Sequence, residues 1–118
     1  MDIPKMMKTL REHPESEKIG MIATHLGIVR AHSRGGGKVT HVEVVFDHAI
    51  IKEIITHARK LEGVVEVLVE TKEGRLGVGD EIMAVAVAGD IREHVFPALI
   101  QTVDRLKAEA SKKKEFFG

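Results

Sequence analysis

The sequence predicts an α+β domain, a mixed sheet with flanking helices that takes in residues 1–118 as one unit. Three observations carry that expectation. Segments with strand-like alternation and segments with helical apolar spacing follow one another in the order α, β, β, α, β, β, α with short joints. One segment, "EIMAVAVAG", is apolar on both faces, the mark of a strand covered on both sides at the centre of a sheet. The length, 118 residues, suffices to bury one real core and is too short for two.

Each element has a local reason. Pro4 sits where a first helical turn tolerates it, and Met6, Met7 and Leu10 give a short apolar stripe for a leading helix. "GMIATHLGIVR" and "KVTHVEVVF" read as strands, and "AHSRGGGK" between them suggests a hairpin with a wide, glycine-rich tip. Asp47 can cap a helix in which Ile50, Ile51, Ile54, Ile55, Ala58 and Leu61 recur at helical spacing until Gly63 ends it. "VVEVLVET" is a strand, and "KEGRLGVGD" is a turn-rich connection to the central strand. Asp90 with Glu93 resembles a capping signal for a last helix with the stripe Phe96, Leu99, Ile100, Val103 and Leu106. Pro97 requires that helix either to start just before it or to kink there. Lys112, Lys113 and Lys114 read as its solvated end, where cations complement the exposed carbonyls.

Composition excludes several functions. Eighteen basic residues balance eighteen acidic ones, so no overall field draws the chain to nucleic acid or an anionic membrane, and any anion site must be local. Without cysteine there is no thiolate metal site and no cysteine nucleophile, so sulfur chemistry would need an outside donor. No apolar run approaches a membrane span, and a cytoplasmic location is the simplest expectation. The histidines match no compact ligand spacing, so neither a metal nor another cofactor is expected. The loop "RAHSRGGGK" lacks the nucleotide P-loop signature, yet Arg30, Arg34 and Lys38 around three glycines suit an anion. Arg92 at the start of the last helix could add to one. Lys107 and Lys114, seven residues apart, would share a face about 10 Å apart if the helix persisted.

Read together, these segments resemble the large, catalytic subunit family of molybdopterin synthase. The resemblance rests on "GMIATHLGIVR" with its two glycines and terminal arginine, on "GRLGVGDEIMAVAVAG", and on "REHVFPALIQTVDRLK" followed by a lysine before glutamate; it extends over residues 3–115. It implies an α/β hammerhead-like fold, a homodimer, and conversion of precursor Z, the cyclic pyranopterin monophosphate, to molybdopterin. The sulfurs would come from a small ubiquitin-like carrier whose C-terminal Gly-Gly thiocarboxylate enters a pocket. Carried over by position, Lys107 and Lys114 match the family's essential lysines, and Arg30 and Arg92 match arginines of its substrate and anion pocket. The family's histidine before the second arginine is Ile91 here, its tryptophan before the distal lysine is Lys113, and its longer C-terminal segment is absent after Phe117. A one-residue gap would hand the distal role to Lys113. The competing expectation is a non-catalytic relative that binds a sulfur carrier or a phosphorylated ligand.

Overall fold

The computed structural model describes residues 1–118 and runs α1 (Ile3–Arg11), a 3₁₀ turn (Ser16–Lys18), β1 (Met21–Ile28), β2 (Val39–Phe46), α2 (His48–Ala58), β3 (Val64–Thr71), β4 (Gly74–Gly77), β5 (Glu81–Gly89), α3 (Arg92–Arg105), a π-helical turn (Leu106–Ala110) and β6 (Ser111–Phe117). The strands make two three-stranded sheets, ordered β1-β5-β3 and β4-β2-β6. All the pairs within them are antiparallel, where one mixed sheet was expected. No helix is long and apolar enough to cross a membrane.

β5 occupies the centre of the first sheet, as its two apolar faces require. Met83, Val85 and Val87 point into the main core, while Ala84, Ala86 and Ala88 pack with Met6 and Leu10 of α1 in a second cluster. Three alanines in a row on that face leave room for a helix to lie close to the sheet. Asp2 holds α1 in place by accepting the amide of Lys5 at 2.9 Å, with Pro4 in the first turn. α2 starts on the Asp47 cap, which accepts the amides of Ala49 and Ile50. It ends at Ala58, earlier than the apolar stripe suggested, and Gly63 closes the following turns at φ +76°. There a Cβ would also lie 2.2 Å from Asp90 Oδ1, so glycine is needed for space as well as for backbone angle.

Five expectations are corrected. β1 and β2 are not a hairpin: they belong to different sheets, and only a short ribbon joins them, bridging His32 to Lys38. The apolar β5 needs a partner on each edge to satisfy its backbone, and β1 supplies one of them. "KEGRLGVGD" contains β4, whose Leu76 is buried opposite Val42. Of the two readings for Pro97, the helix does not start just before it: Pro97 lies inside α3, which begins five residues earlier at Arg92. The Asp90–Glu93 capping signal does not cap that helix: Ile91 is its N-cap with no side-chain cap bond, while Asp90 accepts the amide of the next residue, Ile91, and bonds His94 Nδ1 at 2.8 Å. Finally, the lysine run is no helix end: the helical path stops at Ala110 and Lys112, Lys113 and Lys114 lie in β6, paired with β2.

Candidate functional site

A cleft of about 850 Å³ opens where the two sheets meet, with walls from β1, β2, β5, β6 and the end of the last helical segment. Its charged residues are Arg30, Arg34, Asp104, Lys107, Lys113 and Glu115. Four cations against two carboxylates make a locally positive site in a chain whose overall charge is zero. The chain's ion pairs lie elsewhere, so none of these cations is already neutralised by a close carboxylate.

The fold delivers the four cations from three segments. Arg30 and Arg34 come from the connection leaving β1, which Ser33 ties down by donating its hydroxyl to Glu115 of β6 at 3.0 Å. Lys107 stands on the π-helical turn, whose other side buries Leu106 and Ala110. A π turn inserts into a helix a local widening of the kind often found at functional sites. The Ser111 hydroxyl donates to the Lys107 carbonyl at 3.2 Å and joins the turn to β6. Within β6, side chains alternate between faces. Ser111, Lys113 and Glu115 face the cleft, opposite Phe46, Val44 and Val42 of β2. Lys114 faces away, opposite Glu43, with its Nζ 5.1 Å from the centroid of the Phe116 ring, itself stacked on His41 at 4.4 Å.

Of the residues singled out in the sequence, the cleft gathers Arg30, Arg34, Lys107 and Lys113, the last named there as the alternative to Lys114. Lys38, Lys114 and Arg92 lie outside it. Lys38 bridges to His32 in the ribbon between the sheets. Arg92 begins α3 beyond the far end of β5; the six steps from Met83, which lines the cleft, to Gly89 alone put roughly 20 Å between them at ~3.3 Å per residue. The premise of one continuous helix for Lys107 and Lys114 fails because the chain changes from helix to strand at Ser111. His25, Asp104 and Glu115 were not anticipated. The alternation of β1 places Ala23, His25 and Gly27 on one face, a signal present in the sequence once the strand is assigned.

His25 is the unusual member. Its Nε2 is buried without a hydrogen-bond partner. Burial, and secondarily the charge of Lys107, hold the imidazole below its ordinary range. Other histidines have partners: His13 meets Glu66, His48 meets Glu73, and His94 meets Asp90 and Glu62. No three His, Asp or Glu side chains are grouped as metal ligands.

Two antiparallel sheets with a cationic cleft at their junction, and no cysteine to act as nucleophile, define an α+β domain whose cleft presents amines and guanidinium ions. Residues 1–109 match the family model described as MoaE protein. The chain belongs to the MoaE family, that of the molybdopterin synthase catalytic subunit, and acts in molybdenum cofactor biosynthesis. It is similar to the molybdopterin biosynthesis MoaE protein from Burkholderia ambifaria, at 28% identity over 98% of this chain and 76% of that one, with a TM-score of 0.78. It is also similar to the molybdopterin cofactor biosynthesis protein E from Burkholderia multivorans, at 27% identity over 100% of this chain and 82% of that one, TM-score 0.77. A likeness in fold alone, at 16% identity over 99% and 80% of the two chains and a TM-score of 0.73, joins it to the protein–protein complex of subunits 1 and 2 of molybdopterin-converting factor from Helicobacter pylori. Among curated proteins none matches. The family match stops before β6, so it leaves open which lysine of that strand takes part.

Proposed function

We propose that the cleft is the place where the sulfur-bearing tail of a small carrier protein meets precursor Z, and that this chain is an active sulfurtransferase subunit working in the cytoplasm. The observation that carries the reading is the convergence of Arg30, Arg34, Lys107 and Lys113 from three separate segments, without carboxylate partners in ion pairs. A phosphate monoester and a thiocarboxylate are both anions. Guanidinium forks suit the phosphate, and amines suit the charge that builds on sulfur and oxygen as the thiocarboxylate is consumed. The chain has no sulfur nucleophile, which fits a reaction whose sulfur arrives from outside.

In this reading Lys107 is the catalytic amine and Lys113 its partner across the cleft, because β6 turns Lys113 inward and Lys114 outward. Lys114 then supports the strand through Phe116. Lys38 lies on the ribbon that anchors the arginine-bearing connection. Arg92 reaches a pocket only if a second copy brings it there, and the homodimer expected from the resemblance offers that route. The exposed Ile91, Phe96 and Ile100 near Arg92 on and beside α3 are apolar surface such a copy would cover. The carrier is a small ubiquitin-like protein ending in Gly-Gly, a sequence thin enough to lie in a narrow channel.

The test is sulfur transfer from thiocarboxylated carrier to precursor Z, with full-length and tail-deleted carrier in parallel. Dithiolene formation with the first and none with the second is expected. Carrier binding without product would instead favour the non-catalytic relative.

A further inference from the structure

We propose that His25 is a ligand-contacting residue of the cleft whose Nε2 takes up a proton when an anion binds beside Lys107, which makes anion binding at this site proton-linked. The inference rests on the reading of the cleft as an anion site and adds to it a residue and a pH dependence. Three observations support it. His25 lines the same cavity as the four cations. Its Nε2 is the one buried side-chain polar atom in the chain left without a partner. Unpaired buried polar atoms are uncommon in folded proteins, and a partner supplied by a ligand is among the few explanations for one.

The electrostatics set the direction. His25 on β1 shares its cavity with Arg30 and Arg34 of the following connection, Asp104 of α3, Lys107 of the π turn, and Lys113 and Glu115 of β6. Burial, and secondarily the charge of Lys107, disfavour the imidazolium form. An anion lying against Lys107 offsets that positive charge and offers an oxygen or sulfur to an Nε2–H, so both obstacles to protonation weaken together. No covalent bond changes. The proton comes from solvent, and the product of binding is an imidazolium–anion pair. By reciprocity, whatever raises the proton affinity of His25 also ties the anion's affinity to pH. The shared ligand chemistry is a compact anion; a phosphate ester and a thiocarboxylate tail are its two sources.

The experiment uses the intact chain, sulfate for the phosphate source and thioacetate for the tail, at constant ionic strength. Neither probe titrates near neutrality. The His25 ring is followed by NMR as pH is varied, and is assigned by its loss in His25→Gln. The midpoint should rise with at least one probe, and the probe raising it more identifies the source. Binding enthalpies measured in buffers of different ionisation enthalpy should show net proton uptake that is greatest between the unliganded and the liganded midpoints and vanishes on both sides. In His25→Phe, which keeps a ring in place, that uptake and the pH dependence of affinity should disappear. Binding with an unmoved midpoint would overturn the role of His25 and leave the anion cleft standing. Absence of binding by either probe would overturn both.

Discussion

Strands β5 and β6 show how differently one chain uses the same backbone. β5 is covered on both faces, and every residue from Met83 to Gly89 is buried. Its side chains are chosen by space, with valines toward the main core and alanines toward α1. β6 is an edge strand of the second sheet, and its alternation separates roles where that of β5 separates sizes. Ser111, Lys113 and Glu115 meet the cleft, while Lys114 rests over Phe116 on the outer face. The core strand therefore tolerates little change in volume, whereas the edge strand is sensitive to which face a charge occupies.

The largest expected effect is chemical. Lys107→Ala should lower dithiolene formation by at least about 100-fold, the scale on which a positioned proton-transfer or charge-stabilising group contributes. Lys107 is exposed, so its removal should change unfolding stability by only about 0.5 kcal/mol or less. Turnover measured beside a denaturant melt checks both halves, and a fully active variant would remove Lys107 from the reaction.

Next comes volume in the core strand. Ala86→Leu would push a branched side chain into the face that α1 covers, and should cost about 1–3 kcal/mol in urea unfolding. A neutral result would mean that α1 is free to move off the sheet. The same exchange at the exposed Ala108 should stay within about 0.5 kcal/mol.

The smallest effect concerns the Asp90–His94 pair at the start of α3. The hydrogen bond to Asp90 holds His94 above its ordinary range, and the same bond holds the Asp90 carboxyl below its own. The stabilisation from His94 is complete below the unfolded imidazole value of about 6.5 and is lost as pH rises through the raised folded value. That from Asp90 is present above the unfolded carboxylate value of about 3.9 and is lost as pH falls through the lowered folded value. The melting-temperature difference between the wild type and His94→Gln should therefore be greatest between about pH 4 and 6.5 and shrink on both sides. A difference constant with pH would show that the pair adds no charge-dependent stability.

The two strands also explain what was legible in the sequence. β5 could be read because burial on both faces leaves an unbroken apolar run. The α2 cap was readable because the Asp47 carboxylate bonds amides only two and three residues away. β6 was not, because "SKKKEFF" has no apolar alternation and its strand character comes from pairing with β2, more than sixty residues earlier. β4 was hidden for a similar reason, being four residues with a glycine at each end and only Leu76 buried. The break between β1 and β2 was beyond local reading as well, since the competition for the edges of β5 is decided by the whole sheet. Arg30, Arg34 and Lys107 were identifiable as candidates by residue type and position. Their neighbours Asp104 and Glu115 came into view only with the packing of the two sheets, whereas the β1 alternation already set His25 on the face of Ala23 and Gly27.

The most direct test of the account compares Lys113→Ala with Lys114→Ala in sulfur transfer from thiocarboxylated carrier to precursor Z, because adjacent residues on one strand differ only in the face they present. Lys113→Ala should lose most of its activity at unchanged stability. Lys114→Ala should keep its activity and lose about 0.5–1 kcal/mol of stability with the contact to Phe116. An inactive Lys114→Ala beside an active Lys113→Ala would contradict it, and would place the working lysine on the outer face of β6.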